Sequence, residues 1–306
     1  MEKKPIIIDT DPGIDDAVAL AIALHSEKLD VRQITTVHGN VSLDKTTVNA
    51  LKLLEFFNKE VAVSAGATRP LLRESINASQ VHGESGLDGF TFPEPDQHLL
   101  TKEHAVNVMH REIMESKEKI TLVPIGPLTN IALLIRTFPE VCHHIEEIVL
   151  MGGSAGRGNA SPMAEFNILA DPEAAKIVFG SEIPIVMLGL DIGKRARIFP
   201  EDSLRIKEMN ETGNMVYHLL THYRGDVIDS GLSMYDCTAI GYLLEPEMYQ
   251  TVDTFVDIET NGTLTAGCTV VDLNDHLEKR PNAKVALDLD EQAFKKWLLK
   301  SLENCR

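Results

Sequence analysis

The chain has 306 residues, 43% of them hydrophobic and 25% charged, with a formal charge of −17 at pH 7. That length and apolar content can fill the core of one large α/β domain. The acidity argues against nucleic acid or an anionic membrane surface as partner, since either would be repelled, and it suits a small neutral or cationic ligand.

Met1-Glu2-Lys3-Lys4 passes directly into an apolar run without the hydrophobic region of a signal peptide, and no run approaches membrane-spanning length. The four cysteines are far apart and form no C-x-x-C pair. The expectation is a cytoplasmic protein with reduced thiols and no zinc site.

In chain order, β-branched runs predict strands at 6–9, 31–37, 61–64, 120–125, 145–151 and 183–188. Helical spacing between them predicts crossover helices at 43–57, 101–116 and 172–179. Alternation of this kind implies a doubly wound, mostly parallel open sheet, Rossmann-like, with ligands outside the carboxyl ends of its strands. The acidic loop after the first strand, His38-Gly39-Asn40, Ile125-Gly126-Pro127 and Gly152-Gly153 all arrive at that edge. Residues 69–97 lack periodicity and read as a long surface loop of the kind that forms a lid. Beyond it, 201–224 reads as helical, a helix begins at Met234-Tyr235-Asp236 and runs to about Leu244, strands follow near 252–259, 263–271 and 284–287, and a last helix ends at Leu302. There is no repeat or linker, so residues 1–306 are read as a single domain.

Asp9-Thr10-Asp11-Pro12-Gly13-Ile14-Asp15-Asp16 concentrates four carboxylates at the end of the first strand. Two such groups about 4 Å apart repel by roughly 4 kcal/mol at an effective dielectric of 20, so a cluster must raise its pKa values or bind a cation. All-oxygen donors favour Ca²⁺ or Mg²⁺. The loop is not an EF-hand: counted from Asp9, Ile14 stands where glycine is required and Leu20 where the bidentate glutamate belongs. Asp15-Asp16 opens a helix expected at 17–24, where the dipole favours negative charge, and side chains about 100° apart let one hold metal and the other substrate. The run Gly152-Gly153-Ser154-Ala155-Gly156-Arg157-Gly158 fits no nucleotide-binding pattern. The Asn159, Glu165 and Asn167 that follow it carry groups that hydrogen-bond hydroxyls, as in sugar recognition. His82, in a glycine-flanked loop, is the histidine expected to reach the crevice. Phe166 either stacks on a ring or packs.

Together, residues 9–16 in the pattern DTDPGIDD, His38-Gly39-Asn40, His82-Gly83-Glu84-Ser85-Gly86, Pro124-Ile125-Gly126-Pro127-Leu128-Thr129-Asn130, Ala164-Glu165-Phe166-Asn167 and Ser230-Gly231-Leu232 resemble the inosine-uridine preferring nucleoside hydrolases. The likeness spans essentially the whole chain and is nearest to bacterial members that accept purine and pyrimidine ribosides. It implies the nucleoside hydrolase fold and hydrolysis of the N-glycosidic bond of ribonucleosides. It also implies Ca²⁺ held by Asp11, Asp16, the Ile125 carbonyl and Asp236. Asp11 would also be the base, and Asp9 would support the loop. Asp15, Asn40 and Asp236 would hold the ribose 2′- and 3′-hydroxyls, with Asn159, Glu165 and Asn167 around the 5′ end. Relatives are commonly homodimers or homotetramers.

Many members of that family place histidine, a leaving-group acid, where this chain has Tyr235. A phenol titrating near 10 is a poorer acid at neutral pH than an imidazole near 6.5. Tyr235, assisted by His82, is therefore expected to orient the nucleobase, with pyrimidine ribosides favoured. Two alternatives stand beside this reading: a Mg²⁺ phosphohydrolase with Asp-x-Asp after its first strand, and a nucleoside-binding protein without turnover.

Overall fold

The computed structural model describes residues 3–222 and 231–306. Its twelve strands are β1 (Lys4–Thr10), β2 (Leu29–Thr36), β3 (Val63–Ala65), β4 (Ile120–Pro124), β5 (Ile145–Met151), β6 (Ile185–Leu188), β7 (Arg197–Ile198), β8 (Leu232–Ser233), β9 (Tyr249–Thr254), β10 (Val256–Ile258), β11 (Thr269–Val271) and β12 (Ala283–Leu289) among the described residues. Eight of them form one sheet in the order β3-β2-β1-β4-β5-β6-β12-β9, parallel throughout except for the edge pair β12–β9. Strand order reverses between β1 and β4, the switch point at which open α/β sheets bind ligands.

The helices are α1 (Ile14–His25), α2 (Leu43–Phe57), α3 (Ser79–His82), α4 (Ala105–Glu115), α5 (Thr129–Thr137), α6 (Phe166–Ala170), α7 (Pro172–Phe179), α8 (Leu190–Gly193), α9 (Pro200–Lys207), α10 (Glu211–His222), α11 (Cys237–Leu244) and α12 (Glu291–Glu303). Side chains alternate across a strand, so Ile6 and Ile8 enter a core shared with α1, α2 and α9 to α12, whereas Ile7 enters the opposite core with α4, α5 and α7. Both faces are covered, which is why the central strands read as unbroken apolar runs.

Several expected boundaries move. Helix α1 begins at Ile14 with Gly13 as its cap, so Asp15 and Asp16 lie within its first turn. The helical span after residue 200 is two helices, α9 and α10, while the end expected at Arg224 and Ser230 of the Ser-Gly-Leu motif fall outside the described residues. The strand expected at 252–259 breaks at Phe255: β9 stays in the main sheet and β10 leaves it to pair with β11. Only Thr269–Val271 of the 263–271 span is strand.

Residues 69–97 are also less loose than a surface loop. Leu87 is buried, and Phe90 and Phe92 pack edge-on against Phe56 of α2 with ring centroids 5.5 and 5.8 Å away. Gly83, Gly86 and Gly89 take positive φ there, turning the chain without a period for sequence to show. Among the described residues no helix is long and apolar enough to cross a membrane, and the four cysteines are free thiols, Cys237 and Cys305 buried and Cys142 and Cys268 half-buried.

Candidate active site

Strand β1 ends in the acidic loop at the switch point, and each carboxylate there meets a different environment. Asp16 is anchored: its Oδ1 accepts from Thr10 Oγ1 at 2.6 Å and its Oδ2 from the Gly13 N–H at 2.9 Å. Asn40 ties the loop together. Its N–H donates to Asp11 Oδ2 at 2.7 Å, and its Nδ2 donates to the Asp11 carbonyl at 3.1 Å and Asp16 Oδ2 at 3.2 Å. Asp11 Oδ1, by contrast, is buried without a hydrogen-bond partner. The Asp11 carboxylate fits there only because Gly39 and Gly126 lack side chains; a Cβ on Gly126 would stand 2.6 Å from Oδ1.

Strand β8 leads to Asp236 at the start of α11, the acid supplied from far along the chain. One carboxylate oxygen from each of Asp15, Asp16 and Asp236 lies within 4.8 Å of the others, and all three residues are buried. Burial, then the Asp16 charge, pushes the Asp11 carboxyl well above the ordinary range; burial, then Asp15, Asp16 and Asp11, does the same to Asp236. Asp16 is raised by burial against the hydrogen bonds of Thr10 and Gly13. Mutual repulsion, an orphaned oxygen and an all-oxygen donor set are what a hard divalent cation relieves, and the residues fit one. The closest trio contains Asp15, which sequence reading assigned to substrate. Asp11 flanks it with its unpartnered oxygen.

Behind the loop, Asp9 Oδ1 accepts from Thr35 Oγ1 at 2.5 Å and Asn130 Nδ2 at 2.8 Å, while burial pushes its pKa up to about 7. Asp9 thus supports β1 from beneath.

The other wall is built from β4, β5 and α6. Asn167 Nδ2 donates to the carbonyls of Ile125 at 3.0 Å and Met151 at 3.1 Å, joining the ends of both strands and leaving its Oδ1 for a ligand. Glu165 caps α6. Its Oε1 accepts from the Asn167 N–H, and its Oε2 from those of Gly153 and Ile168, at 2.9–3.1 Å. Asn159 Oδ1 accepts from the Phe166 N–H at 3.0 Å, and Phe166 is half-buried. These residues line one pocket, with part of their hydrogen-bonding capacity already committed to backbone.

His82, at the end of α3, is buried, and its Nδ1 accepts the Ile14 N–H at 3.2 Å, one of the donors at the start of α1. It reaches the site as a docked group, not one carried on a loose loop. Tyr235 sits against Gly193 so closely that any side chain there would collide with its ring.

Asp15, Asn40, His82, Ile125, Tyr235 and Asp236 line one pocket of about 130 Å³, with Asn159, Glu165, Phe166 and Asn167 opposite. A larger concavity of about 900 Å³ elsewhere has none of this chemistry, so size does not mark the site. Sequence reading missed Ala78, Gln80, Val81, Met151 and Ala160, which complete the lining. Only Gln80, with its carboxamide, carries a strong hydrogen-bonding side chain among them; Ala78 is held there by its N–H to the Asn40 carbonyl at 3.0 Å. Asn49 was missed too: its Nδ2 joins the Pro12 and Ser85 carbonyls, at 3.0 and 2.8 Å, tying the acidic loop to the 69–97 segment.

A switch-point pocket with carboxylates at one end and amides at the other is the kind of site a glycosidase uses, and the chain belongs to the inosine-uridine preferring nucleoside hydrolase family, whose sequence model matches residues 6–296. It is 49% identical over 298 residues to the non-specific ribonucleoside hydrolase RihC of Escherichia coli, covering 97% of this chain and 98% of that one. The Klebsiella pneumoniae RihC is 50% identical over 293 residues, 96% of each chain. Among solved structures, a purine-preferring ribonucleoside hydrolase from Gardnerella vaginalis superimposes with a TM-score of 0.91 at 26% identity over 99% of both chains. A plant nucleoside hydrolase gives 0.91 at 31% identity over 98% of this chain and 99% of its own. The activity of the chain is ribonucleoside hydrolysis, an N-glycosidase reaction. The phosphohydrolase alternative falls away.

Proposed function

We propose that this chain, acting as one domain over residues 1–306, is a Ca²⁺-dependent ribonucleoside hydrolase of broad base specificity that favours pyrimidine ribosides. In this reading it works in the cytoplasm as a homodimer or homotetramer. The observation that carries the catalytic part is the buried, unpartnered Oδ1 of Asp11 beside three further clustered carboxylates.

Asp11, Asp16, the Ile125 carbonyl and Asp236 would hold the ion, with Asp15 next in reach. A divalent ion there supplies positive charge that offsets the carboxylates and acidifies an adjacent water. Asp11 is placed to take a proton from the attacking water, and because the Asn40 N–H occupies Oδ2, Oδ1 is the oxygen open to receive it. Asp15, Asn40 and Asp236 hold the 2′- and 3′-hydroxyls, while Asn159, Glu165 and Asn167 surround the 5′ end. The carboxylates then stabilise positive charge at the anomeric carbon as the base departs. Tyr235 and His82 face the base, with Phe166 beside them. Because His82 Nδ1 accepts the Ile14 N–H, the neutral ring carries its proton on Nε2 and meets the base as a donor.

A reducing-sugar assay on uridine and inosine tests the reading. Ribose release is expected to fall at least 100-fold after exhaustive chelation, to return with Ca²⁺ more fully than with Mg²⁺, and to be faster from uridine. Full activity without metal overturns the ion requirement, inosine hydrolysed much faster than uridine overturns the preference, and binding without ribose release overturns turnover.

A further inference from the structure

The concavity of about 900 Å³ lies between the turn after α8, the outer side of α9 and one face of α12. Gln292, Lys295, Lys296, Leu299 and Glu303 recur at helical spacing along that face of α12. Seven of the lining residues are lysine or arginine and two are glutamate. The chain as a whole carries −17, so this groove reverses the sign of the molecule around it.

Some of the positive charge is neutralised locally. Arg195 pairs with Asp288 and with Glu291, Lys295 with Asp202 at 2.8 Å, and Lys300 with Glu303 at 2.8 Å. Lys194, Arg205 and Lys296 have no carboxylate within 4.0 Å among the described residues, and all three are exposed on the groove wall. Half-buried Phe199, with Lys295 Nζ 5.0 Å over its ring, and Leu299, 7% exposed, add a narrow apolar strip to the lining.

Like charges gathered around a concave wall repel one another unless an anion offsets them. The shape and surroundings of the groove select the anion. Its volume lies within the range of small-molecule sites and exceeds what a single phosphate fills. An RNA or an anionic bilayer would extend past the cations onto the acidic remainder of the surface and be repelled there. A compact ligand with two or three linked phosphates meets the cations alone, and an attached nucleoside has the apolar strip to lie against.

We propose that this groove is a binding site for a nucleoside di- or triphosphate, separate from the acidic pocket that takes the uncharged nucleoside. The phosphates lie between Lys194, Arg205 and Lys296.

Titration calorimetry with ATP and with inorganic pyrophosphate, Ca²⁺ being kept in excess of either, tests the assignment on the intact chain. Saturable binding of one ATP per chain is expected, with pyrophosphate competing more weakly. The triple charge reversal Lys194→Glu, Arg205→Glu, Lys296→Glu is expected to weaken ATP at least tenfold while leaving the far-UV circular dichroism and the melting temperature in place. The single Lys296→Glu, on the exposed face of α12, is expected to give a smaller loss in the same direction should the triple variant fail to fold. Pyrophosphate binding as tightly as ATP overturns the nucleoside part of the assignment. The site itself is overturned by absence of saturable binding, by binding that the charge reversals retain, by ATP displaced on addition of ribose, or by binding seen only with long RNA or phosphatidylserine vesicles.

Discussion

Two buried acidic regions face each other across the pocket and are stabilised in opposite ways. Glu165 is as buried as Asp11, yet its two oxygens accept three backbone N–H groups, two from the start of α6 and one from Gly153 after β5. Burial still raises the Glu165 carboxyl above its ordinary range, but those three N–H groups offset part of that cost. In the acidic loop, Asp11, Asp15, Asp16 and Asp236 face one another, and one Asp11 oxygen has no donor at all. Charge there is left for something outside the chain to solvate. The two oxygens of Glu165 are both met by backbone amides, whereas Asp11 has one oxygen on the Asn40 N–H and the other left unmet among neighbouring carboxylates.

The contrast is broken most severely at Asp11. Asp11→Asn removes the basic oxygen without changing the shape of the side chain, and kcat is expected to fall at least about 1,000-fold, within the range assigned to a lost base together with a lost ligand. The metal-free variant should melt no lower than the metal-free parent, because a repelling charge has been removed. A kcat within tenfold of the parent would show that another group takes the proton. Glu165→Gln is the matched change on the other wall and should act the opposite way. An amide offers one accepting oxygen where the carboxylate offers two, so a charge-assisted bond to Gly153, Asn167 or Ile168 is lost, costing about 1.5–3 kcal/mol. Melting temperature should fall with or without metal, and KM should rise more than kcat falls. Unchanged stability in Glu165→Gln would erase the distinction between the two regions.

How much of this could be read in the sequence follows from how local each feature is. Helices α2 and α7 begin and end where their apolar spacing does, and α7 is marked further by Asp171 as cap and Pro172 in its first turn. The acidic loop was legible for the same reason: four carboxylates within eight residues, placed after an apolar strand, leave few physical solutions. The partners that make Asp11 different from Asp16 were not. Asn40 stands 29 positions from Asp11, and the glycines that make room for its carboxylate come from two other strand ends. His82 was found by residue type, but its fixed position depends on the N–H of Ile14, 68 residues away, and on a segment pinned by Phe56 to Phe90 and Phe92. The break at Phe255 was invisible because no glycine, proline or asparagine marks a turn between Val252 and Ile258, and β9 and β10 part only in which sheet receives them.

The base end of the pocket gives a smaller and more selective effect. Tyr235 immediately precedes Asp236, so the residue proposed to face the departing base and one proposed to hold the ribose are set by the same turn, held where the Met234 N–H meets the Ala196 carbonyl at 2.8 Å. The ring lies against Gly193, which leaves room for a smaller imidazole in its place. A purine leaves more readily when its ring nitrogen is protonated, and imidazole is the better donor near neutrality. Tyr235→His is therefore expected to raise kcat/KM for inosine about tenfold and to change uridine by less than threefold. The gain should shrink as pH rises past about 6.5, the ordinary imidazole value, because only the protonated ring donates. Equal gains on both nucleosides would place the effect in ribose positioning, and no gain on inosine at any pH would remove proton donation from the account of base preference.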